Sequence, residues 1–162
     1  MNPQRMSYVY TALKWLAAGF LCIFLITGLS SDRLSGTAFQ TMKDAVTRAC
    51  DMTKMQTADN QMIKRLYGID PGNYDGVTLS YPLTNMGAEE LFLVKLKDVS
   101  QQDAVKEAVE SRLVTQKNSF EGYGIDQYAM LERSIVEIRG NYALFISGED
   151  PQKVLNAFNS AF

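Results

Sequence analysis

Apolar residues fall along this chain in three regimes: one unbroken run, then stretches of helical period, then stretches of period two. The unbroken run is Trp15 to Leu29, WLAAGFLCIFLITGL, fifteen residues without a charge. Thr11, Ala12 and Leu13 extend it to nineteen with Lys14 enclosed. A bilayer core takes about 20 residues at a rise of about 1.5 Å each. The long stem of Lys14 returns its ammonium toward the headgroups, and Tyr8, Tyr10 and Trp15 are rings of the kind that settle at that interface. A transmembrane anchor over residues 11–30 is therefore expected, behind a basic head at residues 1–14 and before a polar connector at residues 31–36.

Beyond the connector, Ala38, Phe39, Met42, Ala45, Val46, Ala49 and Cys50 recur at helical spacing and predict a helix over about residues 37–55. A shorter helix is expected from Asp59 to Tyr67, with Met62, Ile63, Leu66 and Tyr67 buried and Gly68 as its left-handed stop. Ile69 to Gly76, IDPGNYDG, is turn chemistry. The period then changes to two at Val77, Leu79 and Tyr81, and a second strand runs from Leu91 to Leu96 after a loop over Pro82 to Ala88.

Ser100 and Asp103 suggest a capping box for a helix over about residues 101–120, with Val105, Val109 and Leu113 repeating every four residues. Tyr123 to Leu131 reads as a short helical segment and Ser134 to Arg139 as a strand. Gly140-Asn141 is a two-residue hairpin signal, Tyr142, Leu144 and Ile146 lie on the returning strand, and Gly148 ends it. Asp150 as N-cap with Pro151 at the first helical position opens a last helix, buried through Val154, Leu155, Phe158 and Phe162. The order from Val77 is strand, strand, helix, strand, strand, helix. The expected class is α+β: one domain over residues 37–162, an antiparallel sheet in a repeated ββα arrangement, its helices covering one face.

Charge fixes an orientation for the anchor. Arg5 and Lys14 precede the apolar run, while Asp32 beside Arg33 cancel after it, so the positive-inside rule puts the head in the cytoplasm and the body outside it, as a single-pass membrane protein. A cleaved signal peptide and a secreted body is the alternative. The exit TGLSSDRLSG lacks a clean small-x-small cleavage pair, which favours a retained anchor. Phe20 and Leu21 before Cys22 are not the small residues of a lipoprotein signal, so Cys22 reads as a buried apolar cysteine.

Residues 32–162 hold fourteen basic and eighteen acidic residues, a net charge of −4. With no basic cluster, neither nucleic acid nor an anionic lipid surface is an expected partner. The chain has no histidine, which removes a Ser-His-Asp triad, a Cys-His pair and ordinary zinc sites together. Cys50 is the only cysteine of the body and reads as a core thiol, and Met42, Met52 and Met55 read as core packing. No Gly-rich phosphate loop, GxSxG or CxxC occurs. No catalytic residue, cofactor or metal is assigned.

What remains is a surface. Arg112 and Gln116, four apart, share a helix face with Tyr123 just beyond it, and suit a carboxylate or a sugar, although a polar helix surface with Tyr123 capping the core is the favoured reading. Asp70 and Tyr74 are a further candidate ligand or partner surface; Asp70, Asn73 and Asp75 invite a calcium reading, but the twelve-residue EF-hand pattern and its terminal Glu are missing. Glu89 and Glu90, adjacent on a strand, point to opposite faces and read as a solvated strand mouth rather than an acid–base pair.

Tyr67-Gly68-Ile69-Asp70, EELFLVKLKD at Glu89 to Asp98, Arg112, Gln116, Phe120 and Tyr123, and Arg139-Gly140-Asn141-Tyr142 occur in that order. Together they resemble the domain-of-unknown-function family 4358 of Firmicutes, over roughly Met52 to Phe162. The resemblance implies an exported, membrane-tethered protein in the company of envelope-polymer acylation machinery. It brings no activity, cofactor or catalytic residue, and the lipobox cysteine of many relatives is absent here. The expected role is a non-catalytic extracytoplasmic domain that binds an envelope or membrane protein. The alternative is a binder of envelope glycan or a small ligand, or a cryptic enzyme, using its tyrosines and the Asp70 to Asp75 region.

Overall fold

Leu91-Phe92-Leu93-Val94 and Tyr142 to Ile146 are apolar at every position rather than at alternate ones, and all nine residues are buried. Successive strand residues face opposite ways, so such runs need cover on both sides. In the computed structural model, which describes residues 34–162, they form the two central strands of a five-stranded antiparallel sheet. The head, the apolar segment Trp15 to Leu29 with Cys22, and its orientation lie outside the described residues. Among the described residues no helix is long and apolar enough to cross a membrane.

The elements in order are α1 (Phe39–Ala49), β1 (Met55–Thr57), α2 (Asn60–Tyr67), β2 (Gly76–Pro82), β3 (Glu90–Lys95), α3 (Gln102–Phe120), α4 (Ile125–Glu132), β4 (Ile135–Arg139), β5 (Tyr142–Ser147) and α5 (Pro151–Ala161). The sheet order is β1-β2-β3-β5-β4. The two hairpins β2-β3 and β4-β5 lie side by side, with Glu90 opposite Ser147 and Lys95 opposite Tyr142 at their junction.

The helices do not share one face. Phe92, Val94, Ala143 and Phe145 pack under α2 and α3 with Ile63, Tyr67, Val105 and Val109. Leu91, Leu93, Tyr142, Leu144 and Ile146 pack against α1 and α5 with Met42, Val46, Val154 and Phe158. The expected one-sided cover is thus corrected to a three-layer arrangement. A true ββα repeat across an antiparallel junction would turn about an axis normal to the sheet and leave both helices on the same side. Here α3 covers one face and α5 the other, because both faces of β3 and β5 are apolar. Each such side chain contributes roughly 1.5–3 kcal/mol when fully buried.

The expected helix over residues 37–55 stops at Ala49. Cys50 is extended (φ −92°, ψ 144°), and the Asp51 carboxylate accepts from both the amide and the hydroxyl of Thr53, an alternative to continued helix. The chain then straightens into β1, an edge strand in which Met55 pairs with Pro82. The other ends follow their signals. Asp59 caps α2 by accepting from the Met62 amide, Gly68 closes it at φ 69°, and Asp150 caps α5 ahead of Pro151. The box before α3 is Asp98 with Gln101 rather than Ser100 with Asp103, because a 3-10 turn over Val99–Gln101 precedes the helix. Asp103 instead sits in the first turn of α3, where a carboxylate suits the helix dipole.

The end of the connector is built into the body. The Ser35 amide donates to Asn141 Oδ1 at 2.9 Å, and its hydroxyl donates to the Phe162 carbonyl at 2.9 Å. The Thr37 hydroxyl donates to the Ala161 carbonyl, while Thr37 O accepts from Lys95 Nζ and the Tyr142 hydroxyl.

Candidate functional site

Glu90 opens β3 on the α3 side of the sheet, two residues before Phe92, and is 0 % exposed. A carboxylate there needs partners, since an unpaired buried charge costs several kcal/mol. It has four contacts from three side chains. Arg112 donates from Nε to Oε1 at 3.1 Å and from an outer nitrogen to Oε2 at 2.7 Å. Gln116 donates from Nε2 to Oε2 at 2.8 Å, and the Tyr67 hydroxyl to Oε1 at 2.5 Å. Arg112 and Gln116 reach one carboxylate because residues four apart lie on one helix face. Tyr67 arrives as the last residue of α2, its ring stacked on Phe92 at 3.9 Å between centroids.

The cluster is held shut electrostatically. Burial, then the Glu90 charge, pushes the Tyr67 hydroxyl well above its ordinary value of 10.0. Burial opposes the charge on Arg112, but hydrogen bonding and attraction to Glu90 outweigh it and the net shift is upward. All three partners of Glu90 donate, so the carboxylate is saturated. The cluster ties β3 to α2 and α3, with both Glu90 oxygens engaged.

Gln116 is only half used. An ionised carboxylate accepts and cannot donate, so the amide must turn Nε2 toward Glu90 and Oε1 away. Oε1 is then buried without a hydrogen-bond partner among the described residues. So is the hydroxyl of Ser147, which pairs in register with Glu90. An unsatisfied buried group of this kind costs about 1–3 kcal/mol.

Arg112 and Gln116 also line an open groove of about 440 Å³ between α2, the β2–β3 loop and the end of α3, with Tyr123 on its rim. The structure therefore brings together three of the five residues singled out from sequence. It does not bring Asp70 and Tyr74 to them. These line a separate shallow depression beside Ala104, Glu107 and Ser111, nearer the start of α3. Asp70 accepts from the Gly72 amide and pairs with Lys64 at 3.3 Å, and both interactions lower its pKa, the amide most.

Sequence reasoning missed Glu90, reading it as a solvated strand mouth. The signal was present in the run Leu91 to Val94. If that strand is buried on both faces, a Glu on the Phe92 parity must be buried too. Glu89 has the opposite parity and meets Lys54 at 3.7 Å beside a small cavity of about 180 Å³ that Cys50 also lines. Burial, then the neighbouring Asp51, pushes the Cys50 thiol up to about 11, so it is a poor nucleophile.

A second surface lies past the groove's rim. Gly122, at φ 85°, turns the chain between α3 and α4, and leaves Tyr123 64 %, Ile125 81 % and Tyr128 37 % exposed around a depression lined mostly by carbon. Its polar edge is Glu121, Glu132 and Arg133, and Glu132 is paired with Lys117.

Residues 48–148 match a family described as Domain of unknown function (DUF4358). No curated protein and no solved structure matches the chain.

Proposed function

This chain belongs to the family described as Domain of unknown function (DUF4358), and since that description names no activity, we propose a function from the chain's own chemistry: a membrane-anchored, extracytoplasmic, non-catalytic domain that docks a protein partner in the cell envelope. The observation that carries the reading is the apolar surface of Tyr123, Ile125 and Tyr128. An isoleucine 81 % exposed beside two half-open tyrosine rings is the composition of an interface centre rather than of ordinary surface.

Charge argues for a protein over a bilayer as the occupant. A face that lies in a membrane interface carries Lys and Arg around its apolar centre. This rim has two glutamates and one arginine, and Lys117 nearby is already paired with Glu132. The anchor rests on the apolar run Trp15 to Leu29, and the side of the membrane on Arg5 and Lys14 before it. The non-catalytic reading rests on the missing histidine and on the saturated carboxylate of Glu90.

The test is photocrosslinking in intact membranes, with a photoreactive residue placed at Ile125 of the full-length chain and, as control, at Lys106 on the exposed side of α3. A recurrent protein adduct from position 125 alone, lost in a Tyr128→Asp background, is expected. Equal labelling from both positions would remove the docking reading.

A further inference from the structure

We propose that the groove beside the Glu90 clasp binds a neutral, hydroxyl-bearing ligand, a sugar ring, with Gln116 Oε1 and the Arg112 guanidinium reading one of its hydroxyls. The inference goes beyond the docking surface, with which the groove shares Phe120 and Tyr123.

The chemistry at the floor is unusually defined. Glu90 fixes the orientation of the Gln116 amide, so Oε1 is an acceptor and cannot flip to become a donor. It is unpartnered and covered, so a ligand hydroxyl reaches it from the groove only as the side chains over it shift aside. Beside it, Arg112 spends two of its five N–H donors on Glu90, and its side chain is 14 % exposed into the groove. An acceptor next to a donor complements a group that both gives and takes a hydrogen bond. A hydroxyl does so at one atom.

An anion fits less well in spite of Arg112 and of Arg65, which also lines the groove. The charge of Arg112 is already balanced by Glu90, so an anion gains little there, and a carboxylate group would set its lone pairs against Gln116 Oε1 with nothing to donate. The walls agree with a sugar. Ser119 offers another hydroxyl, while the Tyr123 ring, 64 % exposed at the rim, offers a flat apolar face to the carbon side of a ring. A volume of about 440 Å³ accommodates one or two sugar rings. Sites that pair a buried polar group with a ligand hydroxyl reject the analogue lacking it strongly, because the protein group is then left alone. Gln116 Oε1 is such a group.

The test uses the full-length protein in a polyoxyethylene detergent, which carries no sugar of its own. Saturation-transfer NMR and thermal shift are read at millimolar N,N′-diacetylchitobiose, cellobiose and maltose, and in parallel with inorganic phosphate and citrate. Binding of at least one sugar is expected, weakened about tenfold or more by Gln116→Leu and by Tyr123→Ala. Tyr123 is exposed, so its variant remains informative if the Gln116 variant does not fold. Tyr128→Asp lies outside the groove and should leave sugar binding unchanged while abolishing the partner crosslink from position 125, so failure of one reading is distinguishable from failure of the other. No binding by any of the three sugars, or binding of phosphate or citrate alone, overturns the proposal.

Discussion

The Arg112 guanidinium grips the Glu90 carboxylate at two points, Nε to Oε1 at 3.1 Å and an outer nitrogen to Oε2 at 2.7 Å, across the junction between α3 and the mouth of β3. Glu90 is fully buried while Arg112 keeps one edge open, so the pair ties the sheet to its covering helix and floors the groove at once. Stability and binding therefore meet in one residue.

Breaking the pair from one side should be far worse than replacing it whole. Arg112→Ala leaves a buried carboxylate with only Tyr67 and Gln116, and is expected to cost about 3–5 kcal/mol in urea unfolding. Arg112→Lys keeps a charge but loses the two-point geometry, and should recover only part of this. Glu90→Leu combined with Arg112→Met should be much closer to the native stability than Arg112→Ala. A single Arg112→Ala loss of under about 1 kcal/mol would mean the carboxylate is hydrated after all.

Tyr67 supplies the pH dependence. Its hydroxyl is raised well above 10.0, by burial first and by Glu90 second. A group with a raised folded pKa contributes stability that is complete below its unfolded pKa and lost as pH climbs from there toward the folded one. Tyr142, pushed up to about 12 by burial and then by Asp75, acts in the same direction. Cys50, raised from 9.0 to about 11, acts the same way from a lower pH, so unfolding midpoints should hold to about pH 9, ease downward from there and fall steeply above about pH 10. Tyr67→Phe should lower stability at neutral pH by about 1–2 kcal/mol for the lost hydrogen bond, and make the alkaline fall shallower. An unchanged alkaline slope in Tyr67→Phe would place the titration elsewhere.

Much of this fold is legible in the order of residues, and what is not has a physical reason. Local signals at Asp59, Gly68, Gly140-Asn141, Asp150 and Pro151 act within a turn of where they stand, and the elements they bound lie where those signals put them. The second layer of helices was hidden because a repeated ββα order implies one covered face, whereas the apolar content of β3 and β5 demands two. The edge strand β1 was hidden because Met52 and Met55 continue the helical period of α1 through an extended segment. Of the candidate site, Arg112 and Gln116 were readable as a pair from their spacing. Glu90 was signalled only by the parity of the apolar run after it, and its partners stand on helices more than twenty residues away. Asp70 and Tyr74 attracted attention by residue type, and the fold uses Asp70 to cap a turn.

Cys50 should be chemically quiet. With its thiol at about 11 rather than 9.0, the thiolate fraction at about pH 8 is about a hundredfold below that of an unperturbed cysteine, and thiolate is the nucleophile. In a Cys22→Ser background, iodoacetamide labelling of the native protein should be slower than that of the urea-unfolded chain by about tenfold, since the thiolate of a higher-pKa thiol is also the stronger nucleophile. Asp51→Asn removes the smaller of the two causes and should quicken labelling only slightly. Native labelling within about threefold of the unfolded rate would show the thiol to be open.

Asn141, in the turn between β4 and β5, holds the start of the body against the sheet, and its loss should be felt there first. Its Oδ1 accepts from the Ser35 amide at 2.9 Å, and its Nδ2 donates back to the Ser35 carbonyl at 3.3 Å. Both partners are backbone groups, so Asn141→Ala removes the interaction whatever side chain stands at position 35. Each bond contributes about 1 kcal/mol, and Asn141→Ala is expected to cost about 1–2 kcal/mol. Ser35→Ala instead removes the hydroxyl bond to the Phe162 carbonyl and spares the two bonds to Asn141. Asn141→Asp keeps the acceptor, loses the donor and should fall between native and Asn141→Ala. Hydrogen exchange separates local from global loss: the Ser35 amide should lose protection in Asn141→Ala while the amides of β3 and β5 keep theirs. If those central amides weaken equally, the strap is part of the global folding unit, and the body depends on its first residues as much as on its sheet.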